Sequence, residues 1–558
     1  MHRSLAAVFI LACNLVFSQP LPRTITVDVN QQGKPFKPVW AHFGYDEPNY
    51  SYMKDGKKLL RELAALSPVP VYMRVHNLLT SGDGTAALKW GSTNAYREDK
   101  KGNPVYHWTI VDSIMDTYIN RGMKPLVEIG FMPEALSVKP QPYRHDWKPG
   151  MDYNRVYTGW AYPPKDYKKW GELVYQWVKH SIARYGGEEV KTWYWEVWNE
   201  PNIGFWQGSQ EEYFRLYDFA ADGVKRALPD ARIGGPSTTG PRWDKAASYL
   251  ENFLKHCAEG KNYVTGKKGS PLDFISFHGK GSPKFVEGHV QMNMSGQLMD
   301  AARGFEIVSA SSFAELPILM TEFDPEGCAA CGMTTNPENA YRNGTMYSSY
   351  TASSFARLFD LAERYNVYLE GVTSWSFEFE NQRWFDGFRD LSTNGVDKPV
   401  LNVFRMYGLM KGNRLKVVNV DEVSLDSILK SSVRGNMSDI HALAVADEGS
   451  VYIMVWNYYD EDVHRENAPV RIVVENLASE KVLLNHYRID KDHSNSYEAW
   501  KMMGSPQKVN EEQYKELEHA GQLELLCSPE WLAVTKGEAV VEFSLPTQGI
   551  SLVRLEYE

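Results

Sequence analysis

A basic surplus, long apolar runs and cysteine are all scarce in this chain. Lysine and arginine number 60 against 70 aspartates and glutamates, a formal net charge of −10. That balance argues against nucleic acid as a partner. Past the N-terminal segment no run reaches the ~20 apolar residues of a transmembrane helix. No internal repeat or low-complexity tract is found. Only five cysteines occur in 558 residues. Cys328-Ala329-Ala330-Cys331 can close a local bridge in oxidising surroundings or stand as two inert thiols. A redox role needs such a motif at a helix start in a thioredoxin-like unit, which is missing. Zinc needs two further ligands that the neighbourhood does not offer.

The first residues read as a secretory signal over 1–18. Arg3 supplies the positive end, and 5–16 is nearly all apolar but too short to span a bilayer. Val16-Phe17-Ser18 offers a cleavage site before Gln19. Ile10-Leu11-Ala12-Cys13 also has the look of a lipoprotein box, but the apolar run before Cys13 is short. The expected protein is secreted or periplasmic, with a lipid anchor through Cys13 as the lesser alternative.

What the chain does have is length for two or three domains and many aromatics, 17 Trp and 32 Tyr among them. Short apolar runs at 39–45, 71–76, 124–130, 191–198, 231–235, 273–278, 317–322 and 371–377 alternate with amphipathic stretches. In one of these, Trp170, Leu173, Val174, Trp177, Val178 and Ile182 recur at helical spacing until Gly186-Gly187 stops it. Eight strands each followed by a helix predict an α/β fold, a (β/α)8 TIM barrel over 31–410. Alternating short strands at 451–458, 470–474, 482–489, 540–545 and 551–555 predict a C-terminal antiparallel β-sandwich over 411–558. Residues 24–30 are expected to add a strand to it, and 511–520 to form a helical insertion.

Two of the barrel runs end in glutamate. Tyr194-Trp195-Glu196-Val197-Trp198-Asn199-Glu200-Pro201 leaves Glu200 just past strand four, and Leu316-Pro317-Ile318-Leu319-Met320-Thr321-Glu322 ends strand seven. Ends of barrel strands face the active site. A retaining glycosidase needs two carboxyl groups, one protonated to release the leaving group and one ionised to attack the anomeric carbon. Glu200 is assigned as acid/base and Glu322 as nucleophile. Either alone could be an ordinary surface glutamate. This chemistry calls for no metal and no organic cofactor.

The chain resembles glycoside hydrolase family 39, which contains β-xylosidases and α-L-iduronidases. Arg74-Val75-His76, Glu128-Ile129-Gly130-Phe131-Met132-Pro133, Glu196-Val197-Trp198-Asn199-Glu200-Pro201, Ile233-Gly234-Gly235-Pro236, Thr321-Glu322-Phe323 and Tyr487-Arg488-Ile489-Asp490 carry the likeness. It spans nearly all of the chain after the leader. It implies net retention and a terminal-sugar subsite lined by His76, Phe131, Asn199, His278 and Trp375. Asn199 can bond a 2-hydroxyl. His76 and His278 can serve hydroxyls as neutral imidazoles. Phe131 and Trp375 can stack on a pyranose, or simply pack in the core.

One departure bears on substrate. Family β-xylosidases usually carry a tyrosine two residues after the histidine of Phe277-His278; this chain has Lys280. The stretch around it, and Glu322-Phe323-Asp324-Pro325, is closer to the iduronidases, whose matching lysine binds the substrate carboxylate. An ammonium there would attract a uronic acid, with Arg383 or Arg389 assisting. The other reading is that Lys280 pairs with Glu322 or another carboxylate. The expected function is therefore a retaining, exo-acting glycoside hydrolase on an oligo- or polysaccharide. The glycone is read first as an α-L-iduronide-like uronic acid and second as β-D-xylose. A non-catalytic glycan-binding protein and an endo-acting glycanase stand as rivals. Nothing in the sequence points to an oligomeric state.

Overall fold

The computed structural model describes residues 22–375, 377–420, 422–435, 438–463 and 465–558; the expected leader and Cys13 lie outside them. Eight parallel strands close a barrel. They are β1 His42–Tyr45, β2 Tyr72–Val75, β3 Lys124–Ile129, β4 Tyr194–Val197, β5 Arg232–Thr238, β6 Phe274–Lys280, β7 Ile318–Asp324 and β8 Leu369–Trp375. Each pairs with its successor, and β8 returns to β1 through Thr373 against His42. β1, β4 and β7 are buried along their whole length, as strands between an outer helical layer and a packed interior must be.

Helices between the strands turn one apolar stripe inward. Tyr167–Tyr185 buries Trp170, Leu173, Val174, Trp177 and Val178. The Asp166 side chain accepts from the Lys168 and Lys169 amides at its start, and Gly186, at φ 88°, ends it. Gln210–Ala227 opens with a capping box between Ser209 and Glu212. No helix among the described residues is long and apolar enough to cross a membrane.

The chain then builds a ten-stranded sheet that curls on itself. Its inward faces form a separate core with Ile25, Val27, Ile453, Val455, Ile472, Val541 and Val553. The two rims of the sheet approach where Arg488 donates to the Ser544 carbonyl at 3.2 Å. This is the expected sandwich with one change. The N-terminal strand Arg23–Pro35 runs antiparallel to Asn413–Asn419 but parallel to Ala468–Glu475. It arrives from the far end of the chain, so no hairpin dictates its direction. Ser450–Tyr458 is buried on both faces. Tyr452, Met454 and Trp456 belong to the barrel's core cluster, opposite the residues that face the sandwich. There Asp439 accepts from Ser353, Arg357 and Trp456, each at 2.9 Å.

Candidate active site

The barrel interior is not wholly apolar. Arg74 on β2 is fully buried and reaches Glu196 on β4 at 2.6 Å, Glu128 on β3 at 2.9 Å and Glu322 on β7 at 3.2 Å. The same guanidinium donates to Asn199 Oδ1 at 3.1 Å and to Ser237 Oγ at 3.0 Å. One planar fork thus fixes five side chains from four strands or their following loops.

Glu322 lies inside β7, beside His278 of β6 in the parallel register. Glu200 sits three residues past β4. Trp198 and Glu200 adopt left-handed φ of 71° and 42°, a strained turn for side chains of this size. The turn is held by Glu200 N–H donating to the Ser237 carbonyl at 2.8 Å and by the Trp198 indole on the Phe205 carbonyl at 2.9 Å. It brings an oxygen of Glu200, an oxygen of Glu322 and a ring nitrogen of His278 within 4.8 Å of one another. His278 Nδ1 is 2.9 Å from Glu200 Oε1, and its Nε2 is 2.9 Å from Ser237 Oγ. Ser237 Oγ also accepts from Arg74 and lies 3.3 Å from Thr321 Oγ1, so His278 joins Glu200 to the Arg74 network.

Charge is distributed unevenly. Lys280 Nζ lies 2.6 Å from Glu322 Oε2 and also contacts Asp324 Oδ2. Burial opposes ionisation of Glu322, but Lys280, His278, His76 and Arg74 outweigh it and hold the carboxyl well below the usual range. Burial likewise disfavours the Lys280 ammonium, yet Asp324 and Glu322 push its pKa upward. Burial raises Asp324 to about 6 in spite of Arg389 and Lys280.

His76 differs from the neutral imidazole expected of it. Burial works against its charge, but Glu128, Asp46 and Glu322 prevail and lift it to about 9. Its ring is 3.1 Å from Asp46 and 3.2 Å from Glu128. Trp375 donates through its indole to Asp46 at 3.2 Å and lies 4.4 Å from the His76 ring. Phe131 joins only by packing, among His76, Trp160, Trp198 and Phe205. Asn199 Nδ2 is buried without a partner among the described residues.

Of the two arginines considered for a substrate carboxylate, Arg389 is engaged by Asp324 at 2.8 Å and Glu326 at 3.0 Å. Arg383 is exposed and nearest Asp386 at 3.9 Å. Cys328 and Cys331 form a disulfide.

Sequence reasoning gave no site role to Arg74, Glu128, Glu196, Ser237, Asp324, Asp46 or Lys89. For the first three a signal existed, since each is a charge inside an otherwise apolar strand. Lys89 had none. It belongs to the long segment after β2, and its ammonium contacts Asp46 while its backbone donates to Glu47 at 2.7 Å. Glu200, His278 and Glu322 are the one cluster among the described residues spaced for a metal ion. The ammonium and guanidinium already on Glu322 oppose a dication there.

A parallel eight-stranded barrel with two carboxyl groups meeting at its C-terminal face defines a class, the barrel hydrolases of glycosidic bonds. Residues 23–525 match the model of glycosyl hydrolases family 39; the chain belongs to this family, and is a glycosidase. It is 28% identical to a β-xylosidase of Caldicellulosiruptor saccharolyticus over 459 residues, 80% of this chain and 82% of that one. It is 24% identical to an α-L-iduronidase of Mus musculus over 529 residues, covering 89% and 75%. The crystal structure of the GH39 enzyme from Xanthomonas axonopodis pv. citri superposes with a TM-score of 0.76, over 98% of this chain and 99% of that one. At 23% identity this is a likeness of fold.

Proposed function

We propose that this protein removes a terminal pyranosyl residue by double displacement, with Glu322 as nucleophile and Glu200 as acid/base. The observation that supports retention is the approach of their carboxyl oxygens within 4.8 Å. Retaining sites need about 5 Å, whereas inverting sites need room for a water at about 6.5–9.5 Å. The electrostatics around Glu322 support its role. Glu322, with its pKa lowered, is the ionised group that bonds the anomeric carbon. Glu200 gives its proton to the departing oxygen, then takes one from the water that cleaves the glycosyl ester. His278 steadies one Glu200 oxygen, leaving the other for proton transfer. The unpartnered Asn199 amide supplies a donor for the 2-hydroxyl.

Asp46, Glu47, Lys89 and Trp375 are buried together or nearly so. They close the pocket on the β1 side, which supports exo action. Residues 31–410 then carry the catalytic site, and 411–558 with strand 24–30 supports them. The Cys328–Cys331 bridge agrees with a secreted or periplasmic location.

For the glycone, the double pairing of Lys280 favours a neutral sugar of the β-D-xyloside type, since its charge is already matched. A second reading, an α-L-iduronide-like uronate, draws on two cations, Lys280 and Arg389, sharing Asp324. Below about pH 6 Asp324 takes up a proton and both cations lose that partner. The test compares initial rates on aryl β-D-xyloside and aryl α-L-iduronide with one aglycone. Faster xyloside cleavage at every pH supports the neutral glycone. A uronide rate that overtakes as pH falls through 6 supports the uronate. Glu322→Ala should abolish turnover of both, whereas Glu200→Ala should spare the first step for good leaving groups. Equal residual activity of the two variants would undo the role assignment, and a wild type inert on all glycosides would leave a glycan-binding protein.

A further inference from the structure

Only two tryptophans are exposed among the described residues, Trp243 at 62% and Trp531 at 52%. Trp531 lies on the accessory sheet. Trp243 lies on the barrel's C-terminal face, in the short segment between β5 and the helix Asp244–Glu259. This segment is tied at both ends to the catalytic surroundings. Thr239 exchanges two hydrogen bonds with Asn202, two residues past Glu200, at 2.6 and 3.0 Å. Arg242 contacts the Lys280 carbonyl and pairs with Asp300 at 3.0 Å, while Asp300 accepts from the Lys280 amide at 3.0 Å. The Arg242 guanidinium lies 5.2 Å from the Trp243 ring centre. A ring in water is thus mounted on a loop whose backbone is anchored beside both Glu200 and Lys280.

The side of the barrel is decisive. In a closed ring of eight strands β5 stands opposite β1, the side on which Asp46 pairs with Lys89 and accepts from the Trp375 indole. The acid delivers its proton to the leaving group, so the leaving group departs on the Glu200 side. The β5 loop is the immediate neighbour of the Glu200 loop. We infer that Trp243, backed by Arg242, is the platform on which the ring of the leaving group stacks, a first aglycone subsite for a pyranose or aryl ring. The C–H face of a pyranose is apolar and suits an indole. This inference rests on the glycosidase mechanism proposed above.

The experiment measures kcat/KM on an aryl glycoside and on the glycosyl fluoride of the same glycone, xylosyl or iduronosyl. Fluoride carries no ring to stack. The readout is the ratio of the two values. Trp243→Ala should lower that ratio about tenfold, mainly through KM. Trp243→Phe should restore most of it, and Trp531→Ala should leave it as in wild type. An unchanged ratio in Trp243→Ala would overturn the subsite while leaving the mechanism standing. A wild type that hydrolyses neither substrate would overturn the mechanism and the subsite together.

Discussion

His76 carries its charge deep inside the barrel because three carboxylates surround it. Its pKa of about 9 exceeds the 6.5 of an unfolded histidine. The stability it contributes is therefore present in full below pH 6.5 and lost as pH rises through 9. Glu128 is raised from 4.5 to about 7, chiefly by burial, so the stability its protonated form contributes is lost mostly below pH 7, and the fall above pH 7 belongs chiefly to His76. We expect the thermal midpoint to fall between pH 7 and 9, and to fall less steeply in His76→Asn. Identical slopes in scanning calorimetry would count against a charged His76. At this scale the sequence was legible where a polar residue ended an apolar run: Glu200, Glu322, His76 and His278 all stand at such ends. It was silent about Lys89 and Asp46, because no local pattern tells which loop folds back over the pocket. The charge of His76 was equally hidden, since it depends on neighbours that only the closed barrel assembles.

All eight expected barrel strands exist, shifted at their ends, because short β-rich runs between capped helices leave little choice. In the accessory sheet, strands rich in valine and isoleucine were visible, but Asp439–Ala446 was not. Its inward positions are Ile440, Ala442, Ala444 and Ala446, and alanine has no β preference to betray a strand. The Cys328–Cys331 pair was left open as bridge or thiols, and is a bridge. The helix after Glu200 offers a test of how local stability separates from chemistry. Its capping box rests on Ser209, whose hydroxyl accepts from Glu212 N–H at 3.1 Å. Ser209→Ala should cost about 1 kcal/mol in denaturant unfolding, with kcat on an aryl glycoside within about twofold of wild type. A large fall in kcat would mean that this helix also sets the Glu200 turn.

For the whole molecule, the decisive contact is between barrel and sheet. Arg357 and Asp439 are buried where the helix Thr345–Arg364 meets the sheet, 2.9 Å apart. Asp439→Ala leaves that guanidinium buried with its main charge partner gone, at a cost of about 3–5 kcal/mol. We expect barrel and sheet still to melt in one transition, at a lower midpoint. Two separated transitions would show that the barrel stands alone. The parallel pairing of Arg23–Pro35 with Ala468–Glu475 has a consequence for biosynthesis. That strand leaves the ribosome before the barrel, and its partners leave after it. Until then it is an open edge with no ladder to join. Whatever escorts the nascent chain must shield this edge through the making of the entire barrel.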